Sequence, residues 1–272
     1  MARTSPLVRL VLRVLVVGYL VMLIAWPVSL VVTHTFDNGF ATLDAALADP
    51  NVVHALQLTA IVSVASVAIN LVFGVTVSIL LVRSEFRGKR LLSALLDVPL
   101  SVSPVVVGLA LLLVYSPRNG WFGEGLAQAG VQIVFATPGI VLATTFVALP
   151  LVIREVVPVL EEIGDDQEWA ARSLGAGPVQ TLRRITLPAI KWAVVYGVVL
   201  ALARSLGEFG AVSVVSGKIE GSTQTATLLV ENRYQNFDQP TAYAISFLLA
   251  FASVVCIVVV AIVRRMSTEE AR

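Results

Sequence analysis

Apolar positions in this chain form long, nearly continuous runs, and the polar positions collect in the gaps between them. A helix that crosses about 30 Å of hydrocarbon needs roughly 20 mainly apolar residues, because each backbone N–H and C=O must be satisfied within it. Six stretches meet that requirement, approximately 10–33, 56–82, 91–115, 137–153, 192–216 and 241–263. The predicted class is all-α: a polytopic membrane protein with six transmembrane helices in a single transmembrane domain over residues 1–272. The fourth run is short and has Pro138 and Pro150 near its ends. The first follows Arg3, Arg9 and Arg13 as a signal peptide would. Its apolar run is too long for one and no small-residue cleavage pattern follows, so a retained helix is expected.

One gap differs from the others because it reads as folded. In "DDQEWAARSLGAGPVQTLRRITLPAI" (165–190), Asp165 or Asp166 can cap a helix with an acidic first turn. Gly175 can end that helix in the left-handed conformation. Pro178 suits the first turn of a second helix, "PVQTLRRI", and Pro188 interrupts the pattern ahead of the fifth run. Two short helices held at an angle by "GAG" are expected. Ala170 and Ala171 leave a low surface for close packing, with Arg172, Arg183 and Arg184 at its rim. On these residues alone the insert is either a hairpin lying on lipid headgroups or a place where another protein packs.

Composition supports the membrane class, with 57% hydrophobic and 14% charged residues and a mean hydropathy of +0.87. The net charge of +1 is the sum of two unlike sides. The N-terminus, the loop "RSEFRGKR", the central insert (about 154–191) and the C-terminus carry fifteen of the nineteen Lys and Arg. Arg118, Lys218 and Arg233 fall on the opposite side, and Arg204 lies within a run. The positive-inside rule then predicts that both termini and the insert are cytoplasmic. Nothing in this balance points to nucleic acid.

Candidate chemistry is sparse. Cys256 stands alone in an apolar run and reads as a small buried hydrophobe. His34 and His54 are too few for a metal site, and no metal is expected. "RSEFRGKR" has a Gly-Lys pair but lacks the upstream Gly and following Ser or Thr of a phosphate-binding loop. No nucleophile elbow or His-Glu-x-x-His motif occurs either, so no catalytic residue and no cofactor is assigned to this chain. Work against a gradient would have to draw its energy from a partner.

The insert carries a more specific pattern. Ala170, Ala171 and Gly175, then nine residues, then Ile185, Leu187 and Pro188 match A-A-x-x-x-G…I-x-L-P, and this resembles the cytoplasmic loop of ATP-binding-cassette importer permeases. That family usually has Glu directly before the two alanines. Here Trp169 stands there and Glu168 is one earlier, which puts an ionic contact from that position in doubt. The resemblance implies that the first short helix is a coupling helix seated in a groove of an ATPase subunit that binds ATP-Mg. The docking residues it implies are Glu168, Trp169, Ala170, Ala171, Gly175, Ile185, Leu187 and Pro188.

The fifth run contains "ARSLGEFGAVSVVSG" (203–217), where Arg204 and Glu208 stand four residues apart, hence on one face of a helix. A charge at the centre of a membrane helix costs roughly 2.5 to 3.5 kcal/mol, so the pair should face a partner or a wet cavity. A structural ion pair and a place in a transport pathway or gate are both open. Gly207 and Gly210 permit close helix approach or local unwinding. In the third run, Pro99 and Pro104 with Ser101 and Ser103 would disturb the helix, as a simple kink or as a contact with a transported ion.

The segment "GEFGAVSVVSG" resembles the sulfate, thiosulfate and molybdate permeases, and most of all the W-type branch of that family. "NLVFGV" (70–75), "LLDVPLSVSPVVVGL" (95–109) and "RRITLPAIKWAVVYGVVL" (183–200) agree, so the resemblance covers roughly residues 50–263. It implies the fold of a type I importer permease and a complex with a T-type permease, two ATPase copies and an extracytoplasmic sulfate-binding protein. It also implies that the outer segment "KIEGSTQTATLLVENRYQNFDQP" (218–240) contacts the binding protein or forms an outer gate; an ordinary exposed loop is the alternative. A self-paired molybdate or tungstate permease and an ion-coupled secondary transporter are the other readings. The latter would need a coupling site near the bilayer midplane, for which only Arg204 and Glu208 offer themselves.

Overall fold

The computed structural model describes the backbone of residues 6–270 and the side chains of residues 7–262. Arg3 and Arg272, and the side chains of Arg264 and Arg265, which enter the charge count, lie outside those limits. Every regular element among the described residues is helical.

Helix α1 is continuous, Pro6–Leu20 passing through a π turn at Val21–Ala25 into Trp26–Phe36. A short α2 (Ala41–Ala48) leads to α3 (Pro50–Arg83), which has 34 residues and is therefore about 51 Å long. The pair α4 (Lys89–Ser101) and α5 (Pro104–Tyr115) is followed by α6 (Gly123–Gln128) and α7 (Thr137–Ile163). The insert supplies α8 (Asp166–Ser173) and α9, in which Pro178–Thr181, a π turn at Leu182–Thr186 and Leu187–Ala189 run on from one another. Then come α10 (Lys191–Leu206), α11 (Val212–Val215), α12 (Ala226–Gln235) and α13 (Gln239–Glu270).

Four helices are long and apolar enough to cross a membrane singly: Leu7–Phe36, Pro50–Arg83, Thr137–Ile163 and Gln239–Ile262. The other two expected spans are bent pairs. The expected third helix turns through 112° between α4 and α5. Pro104 explains the place of the break, since it forces Ser103 out of the helical region to φ −58°, ψ 134°, and offers no N–H to the preceding turn. Pro99, by contrast, stays inside α4. The expected fifth helix stops at Leu206, and 207–211 is irregular before α11. It enters from α9 at a bend of 69°. The fourth span runs to Ile163, ten residues past the expected end, with Pro150 and Pro158 both inside it. Val152, Val156 and Leu160 continue its buried stripe past Pro150, so packing overrides the proline.

The core is where α3, α7 and α10 meet, around Val67, Ala148, Val152, Val156, Leu160, Ala193 and Ala201. In lipid the apolar side chains alone give little reason for helices to associate, and small residues that admit close approach supply one. Two glycines do this here. A Cβ on Gly74 would stand 2.9 Å from Val152 Cγ1, and one on Gly197 would stand 2.8 Å from Val152 Cα. Interhelical hydrogen bonds add register: Ser66 Oγ donates to the Val141 carbonyl and Asn70 Nδ2 to the Thr145 carbonyl.

The segment 218–240 is partly structured. Ala226 and Leu229 of α12 are buried with Val52, Ala55 and Ile245, and the Ala226 N–H donates to Thr59 Oγ1 at 2.8 Å. Helix α1 is the opposite case. Between Leu7 and Leu30 its side chains are exposed, and it touches the bundle at its C-terminal end, where Phe36 packs edge-on to Phe247 and His34 stacks on Tyr243.

Candidate functional site

The insert closes as its residues dictate. Ser173 is the last residue of α8, Gly175 follows at φ +89°, and the Gly175 N–H donates to the Arg172 carbonyl while the Ala176 N–H reaches back to that of Ala171. That double return satisfies carbonyls which the helix end would leave unpaired. Asp165 stands at the cap position, but its carboxylate accepts from Trp169 Nε1 at 2.8 Å and makes no cap bond. Pro178 opens α9 as expected. Pro188 does not end that helix. The π turn ahead of it closes with the Leu187 N–H on the Leu182 carbonyl, and the chain bends afterwards at Ile190.

Helix α8 has two faces of different character. Outward stand Trp169, 59% exposed, Ala170, and Leu174, 90% exposed. Arg172 lies over the Trp169 ring at 5.6 Å. Beside them a cleft of about 250 Å³ is lined by Ala171, Gly175, Thr181, Arg184 and Ile185, among others. Leu187 and Pro188 are exposed one helix on. Of the eight anticipated docking residues, Ala171, Gly175 and the half-buried Ile185 line this cleft, and Trp169, Ala170, Leu187 and Pro188 are exposed.

Glu168 is elsewhere, on the inward face. Its Oε1 accepts from Arg83 Nε at 3.2 Å and from Thr186 Oγ1 at 2.9 Å. Arg83 Nη1 donates to the Leu160 carbonyl at 3.1 Å, and Nη2 to the Gly164 carbonyl at 2.6 Å. In the sequence Arg83 is only one of the positive charges of its loop. With Glu168 85 residues away, no local pattern could have shown the contact.

The second candidate region lies past the far end of α10. Glu208 is beyond the helix, yet Arg204 Nη1 reaches its Oε2 at 2.7 Å. Glu208 Oε1 accepts from the Ala211 N–H at 3.0 Å, and its carbonyl accepts from Thr227 Oγ1 at 2.8 Å. The Glu208 side chain is 2% exposed and that of Arg204 39%. The carboxylate is thus held by the chain while the guanidinium looks out from it.

Two breaks meet here. A Cβ on Gly210 would stand 2.9 Å from Pro104 Cβ, and one on Gly108 would stand 2.7 Å from the Ala211 carbonyl, so the α4/α5 break packs against the 207–211 break. Ser103, next to Pro104, lies at that junction and is exposed. Ser101 ends α4 on the same side, with Oγ toward the Asp97 carbonyl at 3.4 Å. No contact joins either serine to Arg204 among the described residues.

Comparison with known proteins adds to this geometry. Residues 70–269 match the family model described as binding-protein-dependent transport system inner membrane component. The chain is 44% identical over 267 residues to the sulfate transport system permease protein CysW of Synechococcus elongatus, covering 98% of this chain and 92% of that one. It is 36% identical to the sulfate transport system permease protein CysT of Salmonella typhimurium, over 86% of this chain and 84% of that one. Its fold matches a chain from a bacterial alginate ABC transporter in complex with an alginate pentasaccharide-bound periplasmic protein. The TM-score is 0.76 at 16% identity, over 97% of this chain and 95% of that one.

Proposed function

This chain belongs to the family of binding-protein-dependent transport system inner membrane components, and we propose that it is the permease subunit through which an ATP-driven importer carries sulfate into the cell. The observation that carries the substrate is the 44% identity to a sulfate transport system permease along almost the whole chain. That likeness favours sulfate over molybdate or tungstate; thiosulfate, an anion of the same charge and similar shape, is a second substrate. As the W-type member the chain pairs with a T-type permease, since its likeness to a CysT permease, though clear, is weaker. ATP-Mg is bound by a separate ATPase, and an extracytoplasmic binding protein delivers the anion.

The open face of α8 with its neighbouring cleft is the seat for the ATPase, and both termini lie on that cytoplasmic side. Ala170, Ala171 and the Gly175 turn let a groove close over the helix, with Trp169 and Leu174 as apolar anchors. Glu168 is not part of that contact surface; it fastens the helix from behind. The junction of the two breaks, with Arg204, Glu208, Ser101 and Ser103, is the gate of the pathway. Irregular backbone at membrane depth is tolerated where protein or water re-satisfies it, and the half-exposed Arg204 places a positive charge where a divalent anion passes.

Purifying the chain with its complex tests the whole reading. A second, different permease and an ATPase are expected to co-purify, and uptake of labelled sulfate should persist when the proton gradient is collapsed and ATP maintained. Loss of uptake under those conditions would mean ion coupling instead.

A further inference from the structure

Arg83 reaches across 77 to 85 residues of sequence to the stretch where α7 ends and α8 begins. It ends α3; its Nη1 and Nη2 reach the carbonyls of Leu160, in the last turn of α7, and of Gly164; its Nε reaches Glu168 in the first turn of α8. Through Glu168 it is linked to Thr186 in the π turn of α9, just ahead of α10. Each contact falls where backbone charge favours it. The last carbonyls of α7 lack helical partners and carry the negative end of its dipole, and the carboxylate lies at the positive end of α8. The group is almost closed to solvent, with Arg83 and Glu168 side chains 14% and 10% exposed.

We infer that Arg83 is the positioning residue that holds the docking helix in fixed register with the three core helices, so that movement of α8 is passed to the bundle as movement of α3. The inference rests on the reading of α8 as the ATPase seat. Three features argue for a linkage rather than a local cap. The planar fork of arginine holds Nε, Nη1 and Nη2 at separate fixed positions that meet a carboxylate and two carbonyls at once, a spread that a compact ammonium does not match. The outward face of α8 has no part in the contact, so docking and fastening use different side chains of one helix. And α3 is fastened at its other end too: Asp49, which caps it, pairs with Arg233 of α12 at 2.8 Å, and Asn51 approaches Glu220 at 3.5 Å. A rigid helix tied at both ends to the segments that face partners is suited to carry displacement between them.

The test uses the whole complex in membrane vesicles, with ATP supplied and sulfate uptake and ATP hydrolysis measured together. In Arg83→Met, which keeps a long side chain without donors, the ATPase should still co-purify and hydrolyse within about twofold of wild type, while sulfate imported per ATP falls about tenfold or more. Arg83→Lys, which keeps the charge but loses the spread of the guanidinium fork, should fall between wild type and Arg83→Met. A wild-type ratio of sulfate to ATP in Arg83→Met overturns the inference. Loss of membrane abundance and of the ATPase in both variants also overturns it, because Arg83 would then only prop the fold. Failure of the docking reading itself shows separately, as an Ala171→Asp complex that keeps both its ATPase and its uptake.

Discussion

Arg83 with Glu168, and Arg204 with Glu208, place the same two side chains together at opposite ends of α10, but the pairs are built differently. The first spans 85 residues, shuts both partners away from solvent and divides one guanidinium among three acceptors along the α7–α8 junction. The second spans four residues and leaves its arginine 39% exposed, with the glutamate tied to Ala211 and Thr227. A pair made from distant segments fixes how elements stand to one another. A pair made locally finishes one chain end and leaves a charge to spare. The first suits the transmission of force, the second the meeting of an ion.

The outward face of α8 gives the largest expected effect and sets a baseline for the comparison. Ala171→Asp or Leu174→Asp puts a charge where a groove must close and should detach the ATPase, reducing sulfate uptake to background while membrane abundance stays normal. Gly175→Val should do less. A Cβ there meets nothing within 4 Å, so the penalty is the strain of φ +89°. For a residue with a Cβ that is about 1 to 2 kcal/mol, somewhat more when β-branched. Partial uptake in Gly175→Val beside none in Ala171→Asp is the expected result, read by uptake and ATPase pull-down. Equal loss would mean that the turn itself, rather than the face, makes the contact.

Next in size are the changes at the second pair. Arg204→Ala strands a carboxylate that is 2% exposed, which costs about 3 kcal/mol, softened by the bond from Ala211. Glu208→Ala strands an arginine that is 39% exposed rather than a buried carboxylate, and should lower abundance less. The double alanine should recover abundance. If Arg204 serves the passing anion, uptake in the double variant stays low, and the charge swap, which buries the arginine and exposes the carboxylate, is no better. Full uptake in the double alanine would make the pair structural and remove the contrast with Arg83.

What could be read from the sequence divides along the same line as the two pairs. The α8 turn was legible because its signals are local: Gly175 at the end, Pro178 at the start of the next helix. Ser103–Pro104 announced a break, but not a turn of 112°, which depends on how α5 packs against α11. Arg204 and Glu208 were expected on one helical face. They do meet, although Glu208 lies outside the helix, because 207–211 follows the neighbouring break instead of the helical period. Pro150 suggested an end for α7 that the buried Val152, Val156 and Leu160 overrode. Arg83 had no signal at all, since its acceptors include two backbone carbonyls.

The smallest effect bears on Trp169, which stands where the family pattern has glutamate. Its indole N–H donates to Asp165 and its ring lies under Arg172, both in exposed places. An exposed neutral donor to a carboxylate contributes about 1 kcal/mol at most, and the cation over the ring about 0.5 to 1 kcal/mol. Trp169→Phe removes the N–H and keeps a ring for Arg172. It should therefore leave ATPase attachment intact and change uptake by less than about threefold. Trp169→Ala removes the apolar surface as well and should weaken attachment clearly. Glutamate at this position is the informative third variant, because Glu168 already supplies the inward carboxylate. If Trp169→Glu strengthens attachment above wild type, the ATPase offers a positive partner at this position. If it weakens attachment as alanine does, the groove that receives this helix is apolar, and the carboxylate of α8 serves only the inner face, where Arg83 meets Glu168.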